Sequence, residues 1–316
     1  MRIVKAILVL IIICILAGIG FVYLEPEKAT SLALDLERKR SGLERKEITI
    51  PGNLHYVYLE GGKGEPLILL HGFGANKDNF TRVARFLTPH YRVIIPDHIG
   101  FGESDHPQDA DYGALSQAVR IRTLVQALGI NKVHLGGSSM GGYIAMMYAF
   151  LYQDEVKTLW LLDPGGIWSA PPSELREMMA KTGKNPLVAK SEDEFAGIFA
   201  FVMADPPFIP RPILNVMAQE RIRNYDLEKR IFTQLSSDSA EKYVTGLKTP
   251  TLIVFGDKDR AINPATADIL HKLMPNSEVL IMKGLGHLPM IEQPRWSAEE
   301  YLKFHKTLDM LNLFNK

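Results

Sequence analysis

Hydrophobic positions fall into two regimes along the chain. Between Ala6 and Leu24 the sequence AILVLIIICILAGIGFVYL holds no charge and is apolar all round. A helix of about 20 such residues crosses the hydrocarbon core of a bilayer. Further on, the apolar residues gather in short runs separated by helix-spaced stretches. EITIPG and LHYVYLEGG (47–62) alternate as the start of a hairpin does. PLILLHGFG (66–74), YRVIIPD (91–97), KVHLGGS (132–138), VKTLWLLDP (156–164), TPTLIVFGDKD (249–259) and SEVLIMKGLGH (277–287) read as buried strands. Helical spacing falls between them: Phe80, Val83, Phe86 and Leu87 share a face, and residues 115–128, 140–151, 265–273 and 294–311 follow the same period. Continuous Val/Ile/Leu strands alternating with helices predict a mostly parallel eight-stranded α/β sheet covered on both faces.

The alternation breaks once. Between Gly165 and Thr249 the strand signal gives way to helical sequence rich in Met, Phe and Pro, including FAGIFAFVMADPPFIPRPILNVM. Such an interruption predicts a helical cap inserted after the sixth strand. The expected organisation is an anchor at 1–24, a connecting helix at 25–46, a core at 47–164 and 249–316, and a cap at 165–248.

Charge changes the picture little in total and more in its placement. Lys+Arg and Asp+Glu number 36 each, so no overall field points to nucleic acid. The single cysteine, Cys14, has no partner for an internal disulfide and no metal-ligand companions. Arg2 and Lys5 precede the apolar run and Glu25 and Glu27 follow it. The positive-inside bias then places the N-terminus in the cytoplasm and the globular part on the outer side, periplasmic or extracellular in a bacterium. A cleaved signal peptide is the alternative; the run is longer than a typical h-region and no A-x-A site follows it.

The candidate chemistry sits at strand ends. Gly137-Ser138-Ser139-Met140-Gly141 fits G-x-S-x-G and joins a buried strand to a helix. There a serine occupies a tight, strained turn that leaves no room for neighbouring bulk. Ser139 is the candidate nucleophile and Ser138 fills the turn. A serine hydroxyl needs an aligned base. Among nine histidines, His287 lies just beyond the last strand, on the same sheet edge as Ser139; His90, His271 and His305 read as surface residues. An acid must fix the base's tautomer. Asp259 is the choice, Asp257 reads as a turn residue, and Asp163, at the end of the strand after the nucleophile helix, competes. Oxyanion donors are expected from the backbone N–H groups of Met140 and Phe73. His71 and Asp97 are expected to order the loop around Phe73.

With these residues placed, HGFG, PDHIGFGES, GGSSMGG, GDKD and GLGHLPMIEQP follow one another in the order found in capped α/β-hydrolases, and the chain resembles that family from about residue 46 to 311. Anchor and Met-rich cap together resemble membrane-bound monoacylglycerol lipases and related bacterial lipases. The resemblance implies a Ser139–Asp259–His287 triad, oxyanion donors at Phe73 and Met140, no metal or organic cofactor, and acyl ester or acylglycerol substrates. His98-Ile99 departs from the Leu-Pro of many relatives. Carbon–carbon bond hydrolases of the same fold keep a similar serine elbow and are the rival enzymatic reading. Non-catalytic binding modules with this fold usually lose a triad member, and none is missing here.

Overall fold

The computed structural model describes residues 2–314; Met1, Asn315 and Lys316, at the outer ends of the expected anchor and core, lie outside the described residues. Eight strands form one sheet: β1 (Leu43–Ile50), β2 (Leu54–Gly61), β3 (Glu65–Leu70), β4 (Tyr91–Pro96), β5 (Val133–Ser138), β6 (Val156–Leu162), β7 (Thr251–Gly256) and β8 (Ser277–Met282). Their spatial order is β1-β2-β4-β3-β5-β6-β7-β8. The β1–β2 hairpin, in which Ile50 pairs with Leu54, and the β2–β4 pair are antiparallel. Every other pairing is parallel, as the unbroken apolar runs predict.

The chain also contains thirteen α-helices among the described residues: α1 (Arg2–Leu24), α2 (Pro26–Arg40), α3 (Thr81–Leu87), α4 (Ala114–Ala127), α5 (Met140–Leu151), α6 (Glu174–Thr182), α7 (Glu192–Val202), α8 (Arg211–Arg223), α9 (Tyr225–Leu235), α10 (Glu241–Val244), α11 (Thr266–Leu273), α12 (Pro289–Glu292) and α13 (Pro294–Phe314). Ile121, Leu124, Ile144, Met147 and Leu270 from α4, α5 and α11 belong to one core cluster. Val83, Leu87, Tyr301 and Phe304 from α3 and α13 belong to a second, where Trp160 of β6 stacks on Tyr301 at 4.5 Å. Each fully buried side chain of this size contributes about 1.5–3 kcal/mol.

The helices α6 to α10 lie between β6 and β7. Ser173 and Ser191 cap α6 and α7 by accepting from the Arg176 and Glu194 amides. Phe195 and Ala218 join α7 to α8.

α1 has 23 residues, none of them buried, and is long and apolar enough to cross a membrane. The helical hydrogen bonding runs on through the bend at Glu25: Glu25 N donates to Phe21 O and Ala29 N to Glu25 O, both at 2.9 Å. α2 is then fixed to the core. Arg38 makes a bidentate pair with Asp78 at 2.7 and 2.6 Å, and Ser41 Oγ donates to Thr81 O at 2.6 Å. α2 also packs against α8 of the insertion.

Candidate active site

Parallel strands bring their C-terminal loops to one sheet edge. At that edge β5 turns into α5 through Ser139, whose φ of 55° and ψ of −115° lie in a region that costs a non-glycine residue about 1–3 kcal/mol. Packing holds it there. A Cβ on Gly137 would come within 2.3 Å of the Gly141 carbonyl carbon, and one on Gly141 within 2.0 Å of Leu70 O. Ser139 N donates to Leu162 O, and Ser139 O accepts from Gly165 N, both at 3.0 Å. Ser138 is fully buried, whereas Ser139 is partly accessible.

The loop after β8 supplies His287. Its backbone N donates to Val202 O at 2.7 Å, so α7 helps to fix the imidazole. Nδ1 lies 2.7 Å from Asp259 Oδ2, and both side chains are buried. The second oxygen, Asp259 Oδ1, accepts from Ala261 N at 2.7 Å and Ile262 N at 3.0 Å. A carboxylate can only accept, so Nδ1 carries the proton and Nε2 is left as a base. Ser139 and His287 line the same cavity, of about 680 Å³. No hydrogen bond joins them among the described residues; such bonds commonly tighten once substrate is bound.

Two free amides flank the serine. Met140 N, at the first position of α5, and Phe73 N have no acceptor among the described residues. The Phe73 loop passes so close that a Cβ on Gly72 would lie 3.3 Å from Ser139 Cβ. Its shape is set by buried polar groups. His71 accepts from His98 N at 3.0 Å on Nε2 and therefore donates from Nδ1 to Gly72 O at 2.8 Å. Burial pulls its pKa down to about 4, which keeps it neutral. Asp97 accepts from Lys77 N at 2.6 Å, Lys77 Nζ at 2.8 Å and Glu103 N at 2.8 Å.

Some residues of this edge escape a sequence reading. Lys77 is almost fully buried, yet it stands in NKDNF, which reads as a solvated helix start; the only signal was Asp97, a carboxylate in a glycine-rich turn with no obvious partner. Arg221, in the polar stretch QERIRN, reaches from α8 to Gly74 O and Leu187 O, each at 2.6 Å, and pairs with buried Glu228 at 2.9 Å. His305 is not the surface residue its helix period suggests. It packs against His134 and Tyr301 at 4.6 and 4.5 Å, because α13 lays that face on the sheet. Asp257 accepts from Gly284 N at 2.6 Å and holds the turn beside β8.

Asp163 ends β6 with φ 45° and is fully buried. Gly256 N donates to its Oδ1 at 3.0 Å. One ligating atom from each of Asp163, Asp259 and His287 lies within 4.8 Å of the others, a spacing a cation could bridge. The donors do not fit that use. His287 Nδ1 and Asp259 Oδ2 are engaged with each other and Asp259 Oδ1 with two amides, which leaves neither residue free to ligate a cation at these atoms.

The cavity is walled by α7 and α8 (Phe195, Ile198, Phe199, Met217) and, on another side, by Thr30, Ala33 and Leu34 of α2. Phe195, Ile198, Phe199 and Met217 also pack the insertion together, so one apolar surface serves both purposes. Phe208, between α7 and α8, lines the same cavity and is 92% exposed.

Comparison with known proteins agrees with this architecture. Residues 65–294 match the family model of the alpha/beta hydrolase fold. "Lipase 1" of Psychrobacter immobilis is 44% identical over 287 residues, covering 89% of this chain and 90% of that protein. Monoacylglycerol lipase ABHD6 of Rattus norvegicus is 29% identical over 266 residues, 79% of each chain. The crystal structure of a membrane phospholipase A, described as a bacterial virulence factor, superimposes with a TM-score of 0.87 at 34% identity, covering 96% of this chain and 99% of that one. The chain belongs to the alpha/beta hydrolase fold family.

Proposed function

We propose that this protein is a membrane-anchored serine carboxylester hydrolase that cleaves monoacylglycerols or short-to-medium-chain acyl esters. One observation carries the reading: a strained serine and a carboxylate-held histidine open into one apolar cavity, walled in part by the helix that continues α1. Similarity to bacterial lipases and to monoacylglycerol lipases supports the ester substrate class.

In the proposed reaction His287 Nε2 takes the proton of Ser139 Oγ as the oxygen attacks the ester carbonyl. Asp259 holds the imidazole by Nδ1 and balances the imidazolium that forms. The Phe73 and Met140 amides receive the oxyanion; one such donor lowers the barrier by about 3–4 kcal/mol. The alcohol leaves with the proton from His287. Water, activated by the same imidazole, then attacks the acyl-serine; the fatty acid is released and the hydroxyl restored. Acyl chains suit the wall from α7 and α8, where Met217 and the phenylalanines adapt to irregular shapes.

α1 anchors the chain, with Arg2 and Lys5 on the cytoplasmic side and the catalytic domain on the other. α2 then keeps the cavity close to the membrane, where acylglycerols concentrate. Labelling by a fluorophosphonate, followed by rates on monoacylglycerols, triacylglycerols, short esters and a dienol-ketone, tests the reading. Labelling lost in Ser139→Ala and fastest turnover on monoacylglycerol are expected. An unlabelled wild-type protein, or carbon–carbon cleavage as the fastest reaction, overturns it.

A further inference from the structure

Asp163 has one oxygen engaged by an amide and the other, Oδ2, buried with no partner among the described residues. A buried carboxylate with an unpaired oxygen is costly, and more so beside a second negative charge. Asp259 is that second carboxylate, and it accepts three hydrogen bonds, from His287 Nδ1 and the Ala261 and Ile262 amides. The charged groups facing Asp163 are Asp259 after β7, Glu292 of α12 and, when protonated, His287 after β8. Glu292 accepts from the Gly286, Ala204 and Asp205 amides at 2.9, 2.8 and 3.0 Å. No fixed cation faces the Asp163 carboxyl among these groups. Protonation removes the problem, since a neutral carboxyl turns the unpaired oxygen into a donor aimed at Asp259.

Resting on the proposed serine-hydrolase reading, we propose that Asp163 is a reserve acid of the His287 site: a protonated carboxyl that supports Asp259 and takes over the imidazole when Asp259 loses its charge. Burial, followed by the charge of Asp259, drives the Asp163 pKa well above the ordinary carboxylate range, in keeping with this geometry. Two carboxyls that share one site do not both ionise at neutral pH. When Asp259 is replaced by a neutral side chain the repulsion goes, Asp163 releases its proton to solvent, and the His287 imidazole finds a carboxylate oxygen within 4.8 Å of one of its nitrogens. Asp163 acts through the imidazole and is therefore a positioning residue. Its φ of 45° places it in the left-handed region just beyond β6.

The experiment measures kcat against pH for Asp259→Asn, Asp163→Asn and the double variant, with fluorophosphonate labelling of each. Loss of the acid from a serine–histidine–aspartate triad lowers kcat about 10⁴-fold. Here Asp259→Asn is expected to fall only about 100-fold, with residual activity that climbs toward alkaline pH as Asp163 ionises. The double variant should fall a further 10- to 100-fold, roughly the rest of that loss, without the alkaline climb. Asp163→Asn alone, which keeps an N–H donor toward Asp259, should cost about threefold. Aspartate-specific 13C labelling gives a reading that needs no variant: one aspartate carboxyl is protonated at neutral pH in the wild-type protein. The proposal is overturned if the double variant is no slower than Asp259→Asn, if Asp163→Asn alone is as slow as Asp259→Asn, or if no protonated aspartate is found. Failure of wild-type labelling by the fluorophosphonate would instead remove the underlying hydrolase reading.

Discussion

Arg221 of α8 donates to the carbonyl oxygen of Gly74 at 2.6 Å, which ties the insertion to the loop that carries Phe73. The guanidinium also holds Glu228 and Leu187 O, which joins three segments of the insertion to one turn of the core. Breaking a buried ion pair costs about 3–5 kcal/mol, because the partner charge is left alone. Arg221→Met should lower stability by that amount in a urea titration. Adding Glu228→Leu should recover most of it. Turnover should stay about tenfold or more below wild type in both, because Gly74 O has lost its donor and the Phe73 amide its position. Full activity in the double variant would detach Arg221 from the proposed oxyanion role of the Phe73 loop.

Ser139 carries backbone strain that glycine does not feel. Ser139→Gly should remove nearly all esterase activity and raise stability by about 1 kcal/mol or more, read as an increase in Tm. An unchanged or lower Tm would mean that the elbow is relaxed.

Buried neutral histidines predict a sign for the acid side of the stability curve. The pKa of His71 is about 4 in the folded protein against 6.5 for a free histidine, and burial lowers it. Below 6.5 the unfolded chain binds a proton that the folded chain refuses, so stability falls as pH drops from 6.5 toward 4. Burial lowers His98 and His305 as well, His305 to about 3, so the slope is shared. His71→Asn should make the fall shallower in urea titrations across this window; an unchanged slope would remove His71 from the account.

If α1 delivers the cavity to a bilayer, deleting residues 2–24 should spare hydrolysis of soluble short esters. Hydrolysis of monoacylglycerol in vesicles should drop by about tenfold or more, through lost local concentration. Equal losses on both substrates would point to a structural role for the helix.

The eight-stranded architecture was legible because its signal is local: unbroken apolar strands, helix-spaced crossovers, and one break in the alternation. The tight turn around Ser139 was legible for a related reason, since it leaves glycine as the residue that fits at 137 and 141. Lys77 and Arg221 were not. Each is a charged residue in a helix-like stretch, and only tertiary packing buries it. Asp163 was visible as a strand-end carboxylate. Its nearness to Asp259 comes from the parallel β6–β7 pairing, where Leu162 lies beside Val254, and no single stretch of sequence contains that pairing.

The bend at Glu25 couples two dimensions of the molecule. A helix advances about 1.5 Å and turns about 100° with each residue, so if α1 spans a bilayer as proposed, one residue added between Leu24 and Pro26 would both lift the domain and rotate it. Arg38 and Ser41 fasten α2 to the body, which leaves no slack to absorb the turn. Insertions at this joint should therefore affect turnover of bilayer substrate with a helical period. The chain would then measure its height above the lipid in angular steps.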